Sequence, residues 1–200
     1  MELQEQKSVK NEFLKPLPNE HLFKFPEHRR FDYSDRPKDW FSFLAMTDDE
    51  SGRAGKRAEE FPYIQYDQLD FLSLIKKHIK PRHKSFIDVG CGAGDKLDIV
   101  KQFRPDLHVV GVEHDPAMAT WAKLVGDEVF CADAFSLSYE PYDIIYAYWP
   151  ISNRDLMMKL CRHIIRTKKR SAKFLLVGFT PSVTRDKEFL TRHTTGALLR

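Results

Sequence analysis

The chain has 200 residues, 42% hydrophobic and 30% charged, enough for one folded domain with a sizeable core and an extension. No apolar run approaches the roughly 20 residues that cross a bilayer, which excludes a membrane-spanning helix. A net charge of +3 is too small to demand a nucleic-acid or membrane partner, and nucleic acid stays possible but not required.

In chain order, residues 1–62 form the first division. They contain Pro16, Pro18, Pro26, Pro37 and Pro62, the loop-like run Thr47–Glu60, and many aromatic residues, Trp40, Phe41 and Phe43 among them. Disordered tails are usually poor in aromatics. The segment is therefore expected to be an irregular, partly helical extension packed on the main domain, a possible lid or acceptor platform. Its opening carries no apolar stretch of a secretory signal and is not an Arg/Ser-rich transit peptide. The main domain is expected over 63–200. Leu69, Leu72, Ile75 and Ile79 recur at helical spacing, and Pro81 stops that helix. Ser85–Val89 is a short apolar strand. A helix is expected from about Asp95 to Phe103, a strand over His108–Val112, and a helix from about Pro116 to Val125. Strands over Glu128–Cys131 and Tyr142–Tyr148 follow, then a helix over 152–166 and a strand over Lys173–Phe179. After Pro181 there is room for a short helix and at most one further strand. Strands separated by single helices imply βαβ units. The fold class is α/β: a three-layer sandwich around a mostly parallel, doubly wound sheet.

The informative segment is Phe86-Ile-Asp-Val-Gly-Cys-Gly-Ala-Gly-Asp95. A strand ends, glycines follow and a helix begins, so a ligand can approach the backbone unobstructed. The dinucleotide fingerprint places its third glycine at position six. Here that position is Asp95 and the third glycine, Gly94, comes one residue early. Asp88 precedes the first glycine by two. Glu113 ends the second strand, 19 residues after Gly94, and Asp133 follows the third strand, 20 residues after Glu113. Taken singly, Glu113 reads equally as a solvated loop residue and Asp133 as a helix cap. Spaced together at one edge of a parallel sheet, they line a ligand crevice.

The order Asp88-x-Gly90-x-Gly92-x-Gly94 resembles the first motif of the class I, Rossmann-like S-adenosylmethionine methyltransferases, and the resemblance covers roughly residues 64–180. It implies S-adenosylmethionine as cofactor and S-adenosylhomocysteine as product. It also implies that Asp88, Gly90, Cys91, Gly92 and Gly94 shape the methionine side and that Glu113 holds the ribose. Asp133 and Ala134 would read the adenine, with His114 either at the adenosine pocket or exposed in its loop. Tyr63-Ile-Gln-Tyr66 looks like the entry to that fold. Tyr148-Trp-Pro-Ile151 resembles the family's Leu-Tyr-Asn-Pro-Phe-like strand end, with Trp149 in place of the Asn, a departure that speaks against adenine methylation in nucleic acids. Tyr148 and Trp149 are the candidates for acceptor placement, with Tyr148 also beside the cofactor; burial against the extension is the alternative. Family members often end in an antiparallel strand pair, for which this chain looks short. The resemblance implies methyl transfer to a nitrogen or oxygen acceptor, on a protein or small molecule rather than RNA; the alternative is a non-catalytic protein that keeps the fold as an interaction module.

Three widely spaced cysteines, Cys91, Cys131 and Cys161, argue against a disulfide framework or zinc ribbon and fit a reducing, cytoplasmic setting. A monomer is expected. The eight histidines form no metal constellation, because His78 and His83 flank Pro81 without a carboxylate to complete a set. There is no Gly-x-Ser-x-Gly elbow and no Gly-Lys-Ser/Thr phosphate loop. Two basic clusters, Lys76–Lys84 and Arg162–Lys173, fall at the sheet edge opposite the crevice. They are read as helix capping and solubility, with a docking surface for an acidic partner or RNA as the alternative.

Overall fold

The structure, a computed structural model, describes residues 68–195. The expected extension over 1–62 and the segment Tyr63–Tyr66 lie outside the described residues.

Helix α1, Gln68–His78, buries Phe71, Leu72 and Ile75 completely and stops before Pro81. Strand β1, Ser85–Val89, is buried along nearly its whole length, as a central parallel strand covered on both faces must be. Helix α2 spans Asp95–Phe103, β2 His108–Glu113 and α3 Pro116–Ala122. Asp115 caps α3 by accepting from the amides of Ala117 and Met118, and Pro116 occupies the first turn. Strand β3 is Glu128–Cys131, followed by a 3-10 turn over Ala134–Ser136. Strand β4 is Ile144–Tyr148, α4 Arg154–Thr167, β5 Lys173–Val177 and α5 Thr184–His193. Asn153 caps α4 through the amides of Asp155 and Leu156.

The sheet order is β3-β2-β1-β4-β5, and every pairing is parallel. Among the described residues no antiparallel strand follows β5. The order reverses between β1 and β4, the switch point where open α/β sheets bind ligands beyond the strand ends. Period-two alternation divides the core. Ile87, Val89, Val110, Ile145 and Phe174 pack with Met157, Leu160 and Ile164 of α4 and with Leu190 of α5. On the other face Phe71 of α1 meets Tyr146 edge-on, with ring centroids 5.0 Å apart, and Phe86 stacks on the same ring.

Three of the boundaries that depart from the sequence expectation have a visible local cause. Strand β4 begins at Ile144 rather than Tyr142, because Asp143 uses its carboxylate to accept the amides of Lys84 (2.6 Å) and Ser85 (3.3 Å). Helix α3 ends at Ala122 rather than Val125, because the next amides tighten onto carbonyls three residues back, Leu124 to Trp121 and Val125 to Ala122. Strand β5 ends at Val177, because Gly178 turns the chain at φ 76°.

Candidate functional site

The switch point is built around the glycine turn after β1. Gly90 takes φ 76°, and its amide and that of Cys91 both donate to the Val112 carbonyl, at 2.8 and 3.1 Å. That pair pins the turn to the end of β2. A Cβ on Gly90 would collide with Cβ of Pro150, so the loops after β1 and β4 touch there. Gly94 opens α2 at φ 90°, and a Cβ on it would sit 2.6 Å from Val125 Cγ2 and 2.9 Å from Ala122 Cα. Only glycine allows α2 and the end of α3 to approach this closely. Cys91 turns its thiol inward: a Cβ added at Gly111 would lie 2.6 Å from its Sγ. Its side chain thus serves the loop's underside.

Glu113 is the junction of the site. Its Oε2 accepts from the Gly92 amide and its Oε1 from the Asp115 amide, both at 2.9 Å. Burial pushes its carboxyl above the ordinary glutamate value, while the amides of Asp115, Gly92 and His114 oppose that shift. His114 itself is exposed. Asp133 is also exposed and caps the 3-10 turn by accepting from the Phe135 amide at 2.9 Å. The neighbouring Ala134 is half-buried, and its carbonyl accepts from the Tyr139 hydroxyl.

Beneath the turn lies a buried charged cluster. Asp88, on β1 between Gly111 and Tyr146, is 2% exposed. Burial pushes its carboxyl well above the usual range; Lys96 pulls it down, while Asp95 and Glu113 push it further up. Lys96, in the first turn of α2, is 6% exposed, and its Nζ lies 3.2 Å from Asp95 Oδ2. Burial works against this ammonium, but the carboxylates of Asp95 and Asp88 outweigh it and hold its pKa above the ordinary lysine value. Sequence reasoning missed Lys96. The available signal was a basic residue in the first turn of a helix, where the macrodipole disfavours it.

The structure separates the two aromatic candidates. Tyr148 ends β4, lies 6.0 Å from Lys96 Nζ at its ring centroid, and faces Gly178. It therefore joins the charged cluster. The Trp149 ring sits 5.9 Å from Phe179, with the Arg154 guanidinium 5.4 Å away. Trp149 also takes φ 36°, a left-handed conformation rare for a bulky residue and concentrated at functional sites.

A doubly wound parallel sheet with an acid-lined glycine turn at its switch point defines a Rossmann-like ligand-binding domain. Residues 87–176 match the family described as methyltransferase domain. No curated protein matches the chain at a significant level. Among solved structures, the chain is similar to the YcgJ protein from Bacillus subtilis, with 21% identity, 65% of this chain and 63% of that chain covered, and a TM-score of 0.47. It is also similar to the sugar N-methyltransferase KedS8 from Streptoalloteichus, at 20% identity, 70% and 55% coverage, and a TM-score of 0.46. Mitomycin 7-O-methyltransferase MmcR aligns at 16% identity, 60% and 39% coverage, and a TM-score of 0.47. The chain thus spans less than two thirds of each of these structures.

Proposed function

We propose that the protein transfers a methyl group from S-adenosylmethionine to a nitrogen or oxygen acceptor on a small molecule or a protein. One observation carries the reading: the Gly92 amide is taken by the Glu113 carboxylate, and α2 opens with Asp95 and Asp98 in its first turn. A dinucleotide needs that helix N-terminus and those amides for its pyrophosphate. Carboxylates there repel phosphate. They suit a ligand that offers an ammonium, a ribose diol and an adenine amino group, and carries no phosphate.

The roles follow from position. Asp88 and the glycine turn bound the methionine end, and Glu113 accepts the ribose hydroxyls with the lone pairs its two amide partners leave. Asp133 accepts from the adenine amino group with the oxygen not used for capping, and the Ala134 amide meets a ring nitrogen. S-adenosylmethionine supplies an already activated methyl group, so the protein's task is to align the acceptor and exclude water. Tyr148 borders the acceptor side. Residues 1–62, aromatic in composition, supply the lid or acceptor platform, and their deletion should abolish turnover.

The test is calorimetric titration of the full chain with S-adenosylmethionine, S-adenosylhomocysteine and NAD. The first two should bind and NAD should not. Glu113→Ala should weaken binding roughly 10- to 100-fold, the worth of hydrogen bonds to a charged group. Binding of NAD in their place, or of none of the three, would end the reading; in the second case the fold serves as an interaction module.

A further inference from the structure

Two basic runs far apart in sequence meet at the sheet edge opposite the glycine turn. The segment after α1 brings Lys80, Arg82 and Lys84 to the start of β1, beside Lys77 in the last turn of α1. The turn between α4 and β5 brings Arg170 to the start of β5. Two contacts join the runs. Lys173 donates its ammonium to the His78 carbonyl at 3.0 Å. Asp143 accepts from the Lys84 amide and pairs with Lys169 at 2.6 Å.

The charge on this edge is not neutralised. Lys77, Lys80, Arg82, Lys84 and Arg170 are all exposed, and among the described residues none of them forms a salt bridge. Lys169 and Arg104, by contrast, each hold a carboxylate. Five exposed cations outside any salt bridge thus gather at the starts of two strands. The buried imidazoles register the field. Burial, then Lys173, Lys77 and Lys80, hold His78 below the ordinary histidine value. Burial, Lys173, Arg82 and Arg104 do the same to His83, against Asp143.

We propose that this edge binds a nucleic-acid duplex through its phosphate backbone. A protein partner would need a central apolar or aromatic anchor. Among the described residues the exposed large apolar side chains are Leu124 and Val183, and neither lies between the starts of β1 and β5: Leu124 precedes β3, two strands beyond β1, and Val183 opens α5 beyond the end of β5. A single strand would need a stacking platform, yet no described Phe, Tyr or Trp is exposed. What is left is positive charge spread over the starts of β1 and β5, about 10 Å apart across β4. A duplex presents about one phosphate per 1.7 Å of axis, so several phosphates face this span at once. The edge lies about 16 Å, one five-residue strand, from the glycine turn. It is therefore a docking surface separate from the methyl-transfer site, and the proposal does not depend on that site's chemistry.

Fluorescence anisotropy of the full chain with a labelled duplex of about 20 base pairs, at roughly 50 to 200 mM salt, tests it. Log affinity should fall with log salt at a slope of about −3 to −5, near −0.9 per phosphate contacted. The fourfold variant Lys77→Gln, Lys80→Gln, Arg82→Gln and Arg170→Gln should bind at least about tenfold more weakly with a slope shallower by about 3. It should leave S-adenosylhomocysteine titration as it was. If the fourfold variant fails to fold, the double variant Lys84→Gln and Arg170→Gln should give about half the change in slope. No binding at the lowest salt, equal binding by folded variants, or tighter binding of a single strand or of polyglutamate would overturn the proposal.

Discussion

Gly94 lets α2 and the end of α3 approach closely, and Gly94→Ala tests how firmly that approach is set. The native φ of 90° costs an L residue about 1–2 kcal/mol. The added methyl would lie 2.6 Å from Val125 Cγ2, 2.9 Å from Ala122 Cα and 3.2 Å from Ala122 Cβ. Val125 can rotate, but Ala122 Cα is helix backbone and can yield only by moving α3. Overpacking of this kind costs about 1–3 kcal/mol, so the total loss should be about 2–5 kcal/mol. Gly126→Ala is the control. Its Cβ would meet only side-chain carbons close by, Val129 Cγ2 at 3.0 Å and Leu97 Cδ1 at 3.1 Å, with no left-handed φ; its loss should stay below about 1.5 kcal/mol. Urea unfolding followed by circular dichroism measures both. Val125→Ala combined with Gly94→Ala should recover at least about 0.5 kcal/mol relative to the sum of the single changes. Equal stability of the two glycine variants, or additivity in the double variant, would refute the packing argument.

Asp143→Ala strips the amides of Lys84 and Ser85 of their acceptor and should cost about 1–3 kcal/mol in urea unfolding. Burial opposes ionisation of Asp143, but Lys169 and those amides hold its pKa below the ordinary aspartate value. Its contribution should therefore be complete above about pH 4 and be lost as pH falls through the lowered value. Lys96→Met leaves Asp95 and Asp88 buried without their cation and should cost about 3–5 kcal/mol at neutral pH. The deficit should shrink on acidification, as the Asp88 carboxyl, its pKa raised by burial, takes up a proton; a deficit constant from pH 8 to 5 would contradict the assigned cluster. In the wild type, the stability supplied by the Lys96 charge should persist up to about pH 10.5 and fall only above it, because its pKa is raised. Alkylation of the native protein should mark exposed Cys131 and spare Cys91 and Cys161, both buried. Burial pushes the Cys161 thiol up to about 12; peptide mass spectrometry reads the outcome.

The fold was legible where local pattern and tertiary role coincide. Strand β1 falls on its expected residues because an apolar run bounded by Lys84 and Gly90 suits a strand buried on both faces. The glycine turn likewise falls where its spacing put it, between β1 and α2, because turn chemistry is written at short range. What was not legible depends on distant partners. The shortened start of β4 follows from Asp143 reaching Lys84 and Ser85, 59 and 58 residues away. The burial of Lys96 follows from packing against Asp88 and, across the switch point, against Tyr148, and no window around Gly94 contains Tyr148. Tyr148 and Trp149 read together as candidates for acceptor placement, yet Trp149, at positive φ, sets its ring beside Phe179 and Arg154.

The bond from the Gly92 amide to Glu113 has a further consequence. The carboxylate proposed to grip the ribose also bolts the glycine turn to the end of β2 before any ligand arrives. A preorganised pocket of this kind loses little chain entropy on binding, and complexes of related affinity then differ mainly in residence time. Substitutions at Glu113 remove a ligand contact and loosen the receptor together. Their effect should exceed that of an equal loss made by trimming the ligand, as with a cofactor analogue lacking its ribose hydroxyls, and the excess measures how much of the affinity was stored in the empty fold.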